Sequence, residues 1–429
     1  MDASEQRREV EPVRCRHHDL AVEDRVGGQH EQRLDQLGEV ASQRPVVATA
    51  QIHHAGGAER QAPKAVPLRL VDEAVGRQLT GAPTEHRRHG RLHTRRLPTV
   101  QAAETGRSSP PWPGQNLRED MPPVEVARER NQTDVEVDGR RLRLTNLRKV
   151  LYPEAGFTKA EVLHYYARIA ATLLPHLQGR AMTLKRYPDG VAGPHFYDKH
   201  CRGAPPWVET APIWSDRKGE DITFCRLEDT ASLLWSVNHG NLEMHPLLSV
   251  APDFGTPTTM VFDLDPGERA GILDAAEIAL VLRDMLAGVG LESLAKSTGS
   301  KGVQVYVPLN TPATFEATKA FARNVAEVME ARVGDRVVAR VEKRLRAGKV
   351  LVDWGQNDRH KSTVAAYSLR AKLARPTVSL PLGWSELTAA VDAGSADALL
   401  PAPEDALDRV SEAGDRFAPV LSLAQRLPG

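Results

Sequence analysis

From Thr258 to Asp353 the apolar residues change period in a set order, and that order constrains the fold more than any single motif does. Thr258 to Leu264 is a buried-strand run, and Leu273 to Gly288 repeats apolar residues at helical spacing through Ala276, Leu280, Leu282 and Leu286. Ser293 to Lys296 reads as a short strand and Val303-Gln-Val-Tyr-Val-Pro alternates as another; Thr314 to Arg332 returns to helical spacing, and Lys349-Val-Leu-Val-Asp closes as a strand. The order βαββαβ predicts an α+β fold with a split βαβ (RRM-like) sheet and two helices on one face. Such a layout hosts unrelated chemistries, so function has to be argued from side chains.

The rest of the chain divides around this unit. Up to about residue 120 it is rich in Arg, His, Gln, Gly and Ala, with Trp112 as its one aromatic residue and eight of the fifteen histidines. Such a segment can bury little. It reads as disordered, or as an upstream extension with Met121 opening the true product. The cluster Arg87, Arg88, Arg91, Arg95 and Arg96 suggests a nucleic-acid-binding arm as a rival, although no aromatic interleaves it. From Val135 onward periodic segments appear. Thr158 to Leu174 has helical spacing, and Thr158 with Glu161 forms a capping-box signal. We therefore expect an N-terminal α/β module over about 135–250, a palm-like core over about 255–385, and a tail over 386–429 too short for another domain.

Bulk properties exclude some classes. A net charge of zero announces no polyanion partner, so nucleic-acid binding must rest on local patches. Cys15, Cys201 and Cys225 show neither zinc spacing nor a disulfide framework and read as reduced thiols. No apolar run reaches about 18 residues and the N-terminus has no apolar signal core, which favours a cytoplasmic protein without membrane attachment.

Asp263 and Asp265 lie two apart on an expected strand, so both carboxylates leave the same face, and Pro266-Gly267 ends the strand beside them. Alone, such a pair is more often a solvated strand end. A third carboxylate, Asp353, ends another expected strand. Three such groups can hold two hard cations about 3.5 to 4 Å apart, the arrangement that clamps the attacking and leaving oxygens of a phosphoryl transfer. Between them, Lys296-Ser-Thr-Gly-Ser-Lys-Gly-Val-Gln offers close backbone approach at Gly299 and Gly302, with Ser300 and Lys301 for phosphate oxygens, but lacks Walker spacing. From Arg336 to Arg375, eleven Arg and Lys face three acidic residues, a field suited to phosphates.

Taken together, Leu144-Thr-Asn-Leu-Arg-Lys-Val-Leu-Tyr-Pro, Phe262-Asp-Leu-Asp-Pro-Gly-Glu, Ser297-Thr-Gly-Ser-Lys-Gly, Leu345-Arg-Ala-Gly-Lys-Val and Val352-Asp-Trp-Gly-Gln-Asn resemble one family. It is the polymerase domain of bacterial ATP-dependent DNA ligase D, within the archaeo-eukaryotic primase superfamily. The resemblance covers roughly Val135 to Leu387. It implies a primase-like core that adds nucleotides, usually ribonucleotides, to DNA ends during non-homologous end joining. Asp263, Asp265 and Asp353 match its Mg²⁺ or Mn²⁺ triad. Ser300, Lys301, Arg346 and Arg370 match positions near the incoming nucleotide's phosphates, with Lys185 and His245 in matching stretches. Asn146, Lys149 and Lys159 match the pocket for a downstream 5′-phosphate, and Phe196 and Tyr197 match aromatics placed against template bases.

One position departs from the pattern. Where the family commonly has His in the phosphate loop, this chain has Gln304, which can donate a hydrogen bond but no charge; weaker nucleotide binding with retained chemistry is expected. No Lys-x-Asp-Gly ligase motif is present, so the resemblance implies a separate ATP-dependent DNA ligase and the Ku end-binding protein as partners, and a bacterial, nucleoid-associated location. The alternative reading is an end-binding or bridging module that recognises 5′-phosphates and has weakened catalysis.

Overall fold

The computed structural model describes residues 131–428. The readings made for residues 1–120, Cys15 and Met121 therefore lie outside the described residues.

A hairpin of β1 (Gln132–Val137) and β2 (Arg140–Thr145) opens the described chain, closed by Asp138 and Gly139 at φ 50° and 70°. A two-residue hairpin needs both turn residues left-handed, and Asp-Gly supplies this at low steric cost. Short strands β3 (Val150–Tyr152) and β4 (Phe157–Thr158) lead to helix α1 (Lys159–Leu177). The capping box forms as expected: the Thr158 N–H donates to the Glu161 carboxylate at 2.6 Å, and the Glu161 N–H donates to Thr158 Oγ1 at 3.4 Å. The helix passes Pro175 and ends three residues beyond the expected Leu174. Pro175 forfeits one backbone hydrogen bond of the last turn, and the full burial of Leu177 holds the helix past it.

Strands β5 (Met182–Arg186), β6 (Phe196–Asp198), β7 (Thr210–Ser215) and β8 (Glu220–Cys225), helix α2 (Thr230–Asn238) and strand β9 (Asn241–Pro246) follow. They build an antiparallel sheet in which β5 pairs with β6, β8 and β9, and β7 pairs with β8. This sheet corrects the reading of the cysteines. The Cys201 N–H donates to Thr223 O at 2.8 Å, which brings the segment after β6 against β8, and Cys201 and Cys225 are joined by a disulfide. Twenty-four residues of separation carry no pairing signal in the sequence.

After a small hairpin, β10 (Ser249–Val250) and β11 (Asp253–Pro257), comes the βαββαβ unit. It consists of β12 (Thr259–Pro266), α3 (Ile272–Gly288), β13 (Leu294–Ser297), β14 (Val303–Pro308), α4 (Phe315–Val333) and β16 (Val350–Asp353), with a two-residue strand β15 (Val337–Val338) added between α4 and β16. Then follow β17 (Leu369–Arg370), β18 (Thr377–Val378), β19 (Pro381–Leu382), α5 (Trp384–Ala393) and α6 (Pro403–Ala413). The large sheet runs β15-β16-β12-β14-β13-β19, antiparallel except for β15 with β16. The four strands expected from the sequence are present within a residue or two. The two edge strands, each two residues long, are too short for a period to register.

Alternation divides the sheet into two faces. Phe262, Leu264, Val303, Val305, Val350 and Val352 pack with Ala279, Leu282 and Leu286 of α3 and Ala326 and Met329 of α4. Val261 and Tyr306 join a second cluster built around α1 and residues 365–380. The tail enters that second cluster through Ala406, Leu407, Phe417 and Val420, and Asp415 accepts from Tyr367 Oη at 2.7 Å and pairs with His176 at 2.9 Å. Each large apolar side chain buried this way contributes about 1.5 to 3 kcal/mol.

Candidate active site

Strand alternation puts Asp263 and Asp265 on the β12 face opposite Phe262 and Leu264. The antiparallel register then sets Asp263 directly across from Asp353 on β16. On its other side Asp263 faces Gln304 of β14, and Gln304 faces Lys296 of β13. Asp353, Asp263, Gln304 and Lys296 thus form one polar row across four strands. Neighbouring side chains of such a row stand about 5 Å apart at Cβ, close enough for their charges to couple.

That coupling shows at Asp263. Burial first, then the charges of Asp353 and Asp265, push its carboxyl up to about 6, against smaller lowering effects from the Gln304 amide and Lys296. Asp265 is ion-paired with Arg346. Asp353 accepts from the Gly355 N–H at 2.9 Å and the Gln356 amide at 3.0 Å. Those two carboxylates are turned to protein donors, and no three His, Cys, Asp or Glu side chains among the described residues are gathered tightly enough to hold an ion. The donor set nonetheless suits a hard divalent cation: the ligands are all oxygen, and one carboxyl is destabilised by two others that a cation would neutralise.

A pH dependence follows. A proton competes with a cation for Asp263, and its raised pKa means protonation begins where an ordinary aspartate is still ionised. Mn²⁺ affinity is expected to fall as pH drops through about 6. A titration by electron paramagnetic resonance checks this; affinity flat across that range would contradict it.

Over Asp263 and Gln304 of this row lies a cleft of about 560 Å³. The large sheet supplies Asp263, Asp265 and Gln304 to it, and the five-stranded sheet supplies Lys185, Tyr197 and His245. Lys185, Lys199, Lys301, Lys361, Arg370 and Lys372 line it against two aspartates, a balance that favours a polyphosphate. Lys199, Lys361 and Lys372 belong to no motif in the sequence; Lys361 and Lys372 share in the basic excess, and Lys199 follows the aromatic pair. Part of that excess lies elsewhere, since Arg336 pairs with Glu277 and Arg340 with Glu330.

The Gly-rich loop is packed closely, as its residues suggest. Gly299 sits at φ 66°, and a Cβ on Gly302 would stand 2.7 Å from the Leu264 carbonyl oxygen. Ser300 faces the cleft, and Lys301 donates to the Pro266 carbonyl, which places its charge at the end of β12. Gln304 is almost fully buried at the cleft floor.

The other expected groups stand around the start of α1 and on the edge strand β6. Asn146 occupies a left-handed turn at φ 56°, and the Lys159 N–H donates to Lys149 O at 2.8 Å, so this turn meets the start of α1. Lys149 Nζ donates to Pro188 O and Asp189, and Lys159 Nζ to Asn238 O. Burial, then the charge of Lys149, bring the Lys159 amine down to about 8. Phe196 and Tyr197 are 51% and 59% exposed, so they are not core residues. Being consecutive on a strand, they face opposite ways. Tyr197 lines the cleft with its ring 6.1 Å from that of His245.

Residues 158–417 match the family described as LigD, primase-polymerase domain. The multifunctional non-homologous end joining protein LigD of Mycolicibacterium smegmatis is 40% identical over 285 residues, 65% of this chain and 36% of that protein. The corresponding protein of Pseudomonas aeruginosa is 30% identical over 289 residues, 63% of this chain and 34% of that protein. The chain therefore spans about a third of the length of these curated relatives. The solved polymerase domain from Mycobacterium tuberculosis ligase D, in complex with DNA, is similar with a TM-score of 0.60 and 36% identity, covering 66% of this chain and 99% of that one. With the family matched over most of the described residues and a solved relative sharing the architecture, the chain belongs to the LigD primase-polymerase family.

Proposed function

We propose that this chain is a template-directed nucleotidyltransferase, preferring ribonucleotides, that fills gaps and ends in DNA during non-homologous end joining. The observation that carries this reading is the register pairing of Asp263 with Asp353, which puts three carboxylates on one sheet face beneath a basic cleft. On this reading the βαββαβ unit is the split βαβ, RRM-like palm. Asp263, Asp265 and Asp353 would hold two Mg²⁺ or Mn²⁺ ions, which when bound lower the pKa of a primer 3′-hydroxyl and stabilise charge on the transferring phosphoryl group. Asp265 must turn from Arg346 to serve as a ligand, and that turn leaves the guanidinium free for a phosphate oxygen. Ser300, Lys301 and Arg370 line the path of the triphosphate.

Lys149, Lys159 and Asn146 would hold a downstream 5′-phosphate, and the exposed Phe196 and Tyr197 would meet template bases, where stacking is worth about 1 to 3 kcal/mol per base. A separate ligase would seal the product, with Ku holding the ends. The test is primer extension on gapped DNA with Mn²⁺ and ribonucleotides, with and without a 5′-phosphate. Extension favoured by the phosphate supports the reading; DNA binding without extension supports an end-binding module.

Gln304 sets one finer expectation. Its amide is engaged with Asp263 and it brings no charge to the cleft. Gln304→His is expected to lower the Michaelis constant for nucleotide severalfold, by about the strength of one charge-assisted hydrogen bond. An unchanged constant would refute this.

A further inference from the structure

The residues expected to meet the nucleotide are themselves held from behind by a group that does not touch the cleft. Glu243 on β9 is fully buried. Its Oε1 accepts from Lys185 Nζ, Tyr187 Oη and the Ala371 N–H, each at 3.1 Å. Its Oε2 accepts from His245 Nε2 at 2.9 Å and from Arg370. Lys185, His245 and Arg370 all line the cleft, and they come from three different strands, β5, β9 and β17.

We propose that Glu243 is the positioning residue of the nucleotide subsite: one buried carboxylate aims three cleft-lining side chains at the triphosphate. The inference rests on the nucleotidyltransferase reading above. Burial raises the Glu243 pKa, but His245, Arg370 and Lys185 outweigh it and hold the carboxyl well below its ordinary range, so the hub stays ionised. A carboxylate offers only acceptors, so His245 Nε2 carries the proton and the ring has one tautomer while neutral. Lys and Arg are long and flexible; fixing them before the ligand arrives removes ordering cost from binding. Arg370 is held through a terminal nitrogen, and its buried Nε has no partner, which leaves a donor unspent.

A charge-balancing role makes the opposite prediction, and that separates the two. Glu243→Gln removes a negative charge beside the triphosphate, so a mere counter-ion would give tighter nucleotide binding when removed. A positioning role gives weaker binding, because the amide nitrogen of Gln faces donors on either side of the hub. The experiment measures extension on gapped DNA and equilibrium binding of ATP with Mn²⁺ for the wild type, Glu243→Gln and Tyr187→Phe. Glu243→Gln is expected to weaken nucleotide binding about tenfold or more, with DNA affinity unchanged. Tyr187 does not line the cleft; removing its hydroxyl loosens only the hub and is expected to raise the Michaelis constant about threefold with little change in kcat. If circular dichroism shows Glu243→Gln unfolded, Tyr187→Phe decides. Nucleotide affinity unchanged or increased in the folded variants overturns the proposal. ATP binding that weakens as expected in an enzyme that never extends a primer would uphold the hub and overturn the nucleotidyltransferase reading instead.

Discussion

Primer extension by the Asp265→Ala variant is expected to fall at least about a thousandfold, while DNA affinity stays within about twofold of wild type. Two effects oppose each other in this variant. On the proposed reading, loss of the carboxylate removes one of three cation ligands. It also frees Arg346, adding positive charge to a cleft that already carries six lysine and arginine side chains against two aspartates. Binding of a polyanion should therefore hold or improve while turnover collapses, so the loss falls on kcat and not on the Michaelis constant. Stability should barely move. The Asp265 side chain is 45% exposed although Arg346 is only 17% exposed, and a pair at the edge of solvent is worth about 1 kcal/mol. Removing it also relieves repulsion at Asp263. Extension retained within about tenfold would remove Asp265 from the reaction centre.

The second large effect is expected at Gly267, which the cleft does not include. A Cβ there would overlap the Arg346 backbone carbonyl, and a backbone atom cannot rotate aside. The segment around Arg346 is tied to the end of β12 by the Gly267 N–H donating to Lys349 O at 2.8 Å and the Gly348 N–H donating to Glu268 O at 2.6 Å. It must shift as a unit and take Arg346 from Asp265. Gly267→Ala is expected to cost about 2 to 4 kcal/mol in urea unfolding and to weaken nucleotide binding about tenfold. A loss below about 0.5 kcal/mol would mean that the loop yields freely and does not set the place of Arg346.

Much of this architecture is legible in the sequence because long periodic segments leave little choice. Helices α3 and α4 and strands β12, β14 and β16 lie where apolar spacing puts them, and Thr158 caps α1 as its capping box requires. What stays hidden is whatever depends on pairing. Asp263 and Asp353 are neighbours because β16 lies beside β12, and no local pattern states which strands touch. Glu243 carries no local signal, because all six residues of β9 are buried and the strand shows no alternation of buried and exposed positions. Cys201 and Cys225 meet only through the β5-centred sheet. Phe417 and Val420 look like a loose end, yet they complete the packing around α1.

The polar row across the large sheet ties chemistry to reading frame at the level of the strand. A single residue inserted or deleted within Thr259–Pro266 would rotate Asp263 and Asp265 into the layer beneath α3 and α4, and lift Phe262 and Leu264 into the cleft. Charge would be buried and grease exposed in the same event. Length changes outside the strand, as in the connection at 311–314, leave the alternation of β12 in place. Natural variation of this domain should therefore accumulate indels at the turns and none along β12, and any library built from it can be randomised in the same proportion.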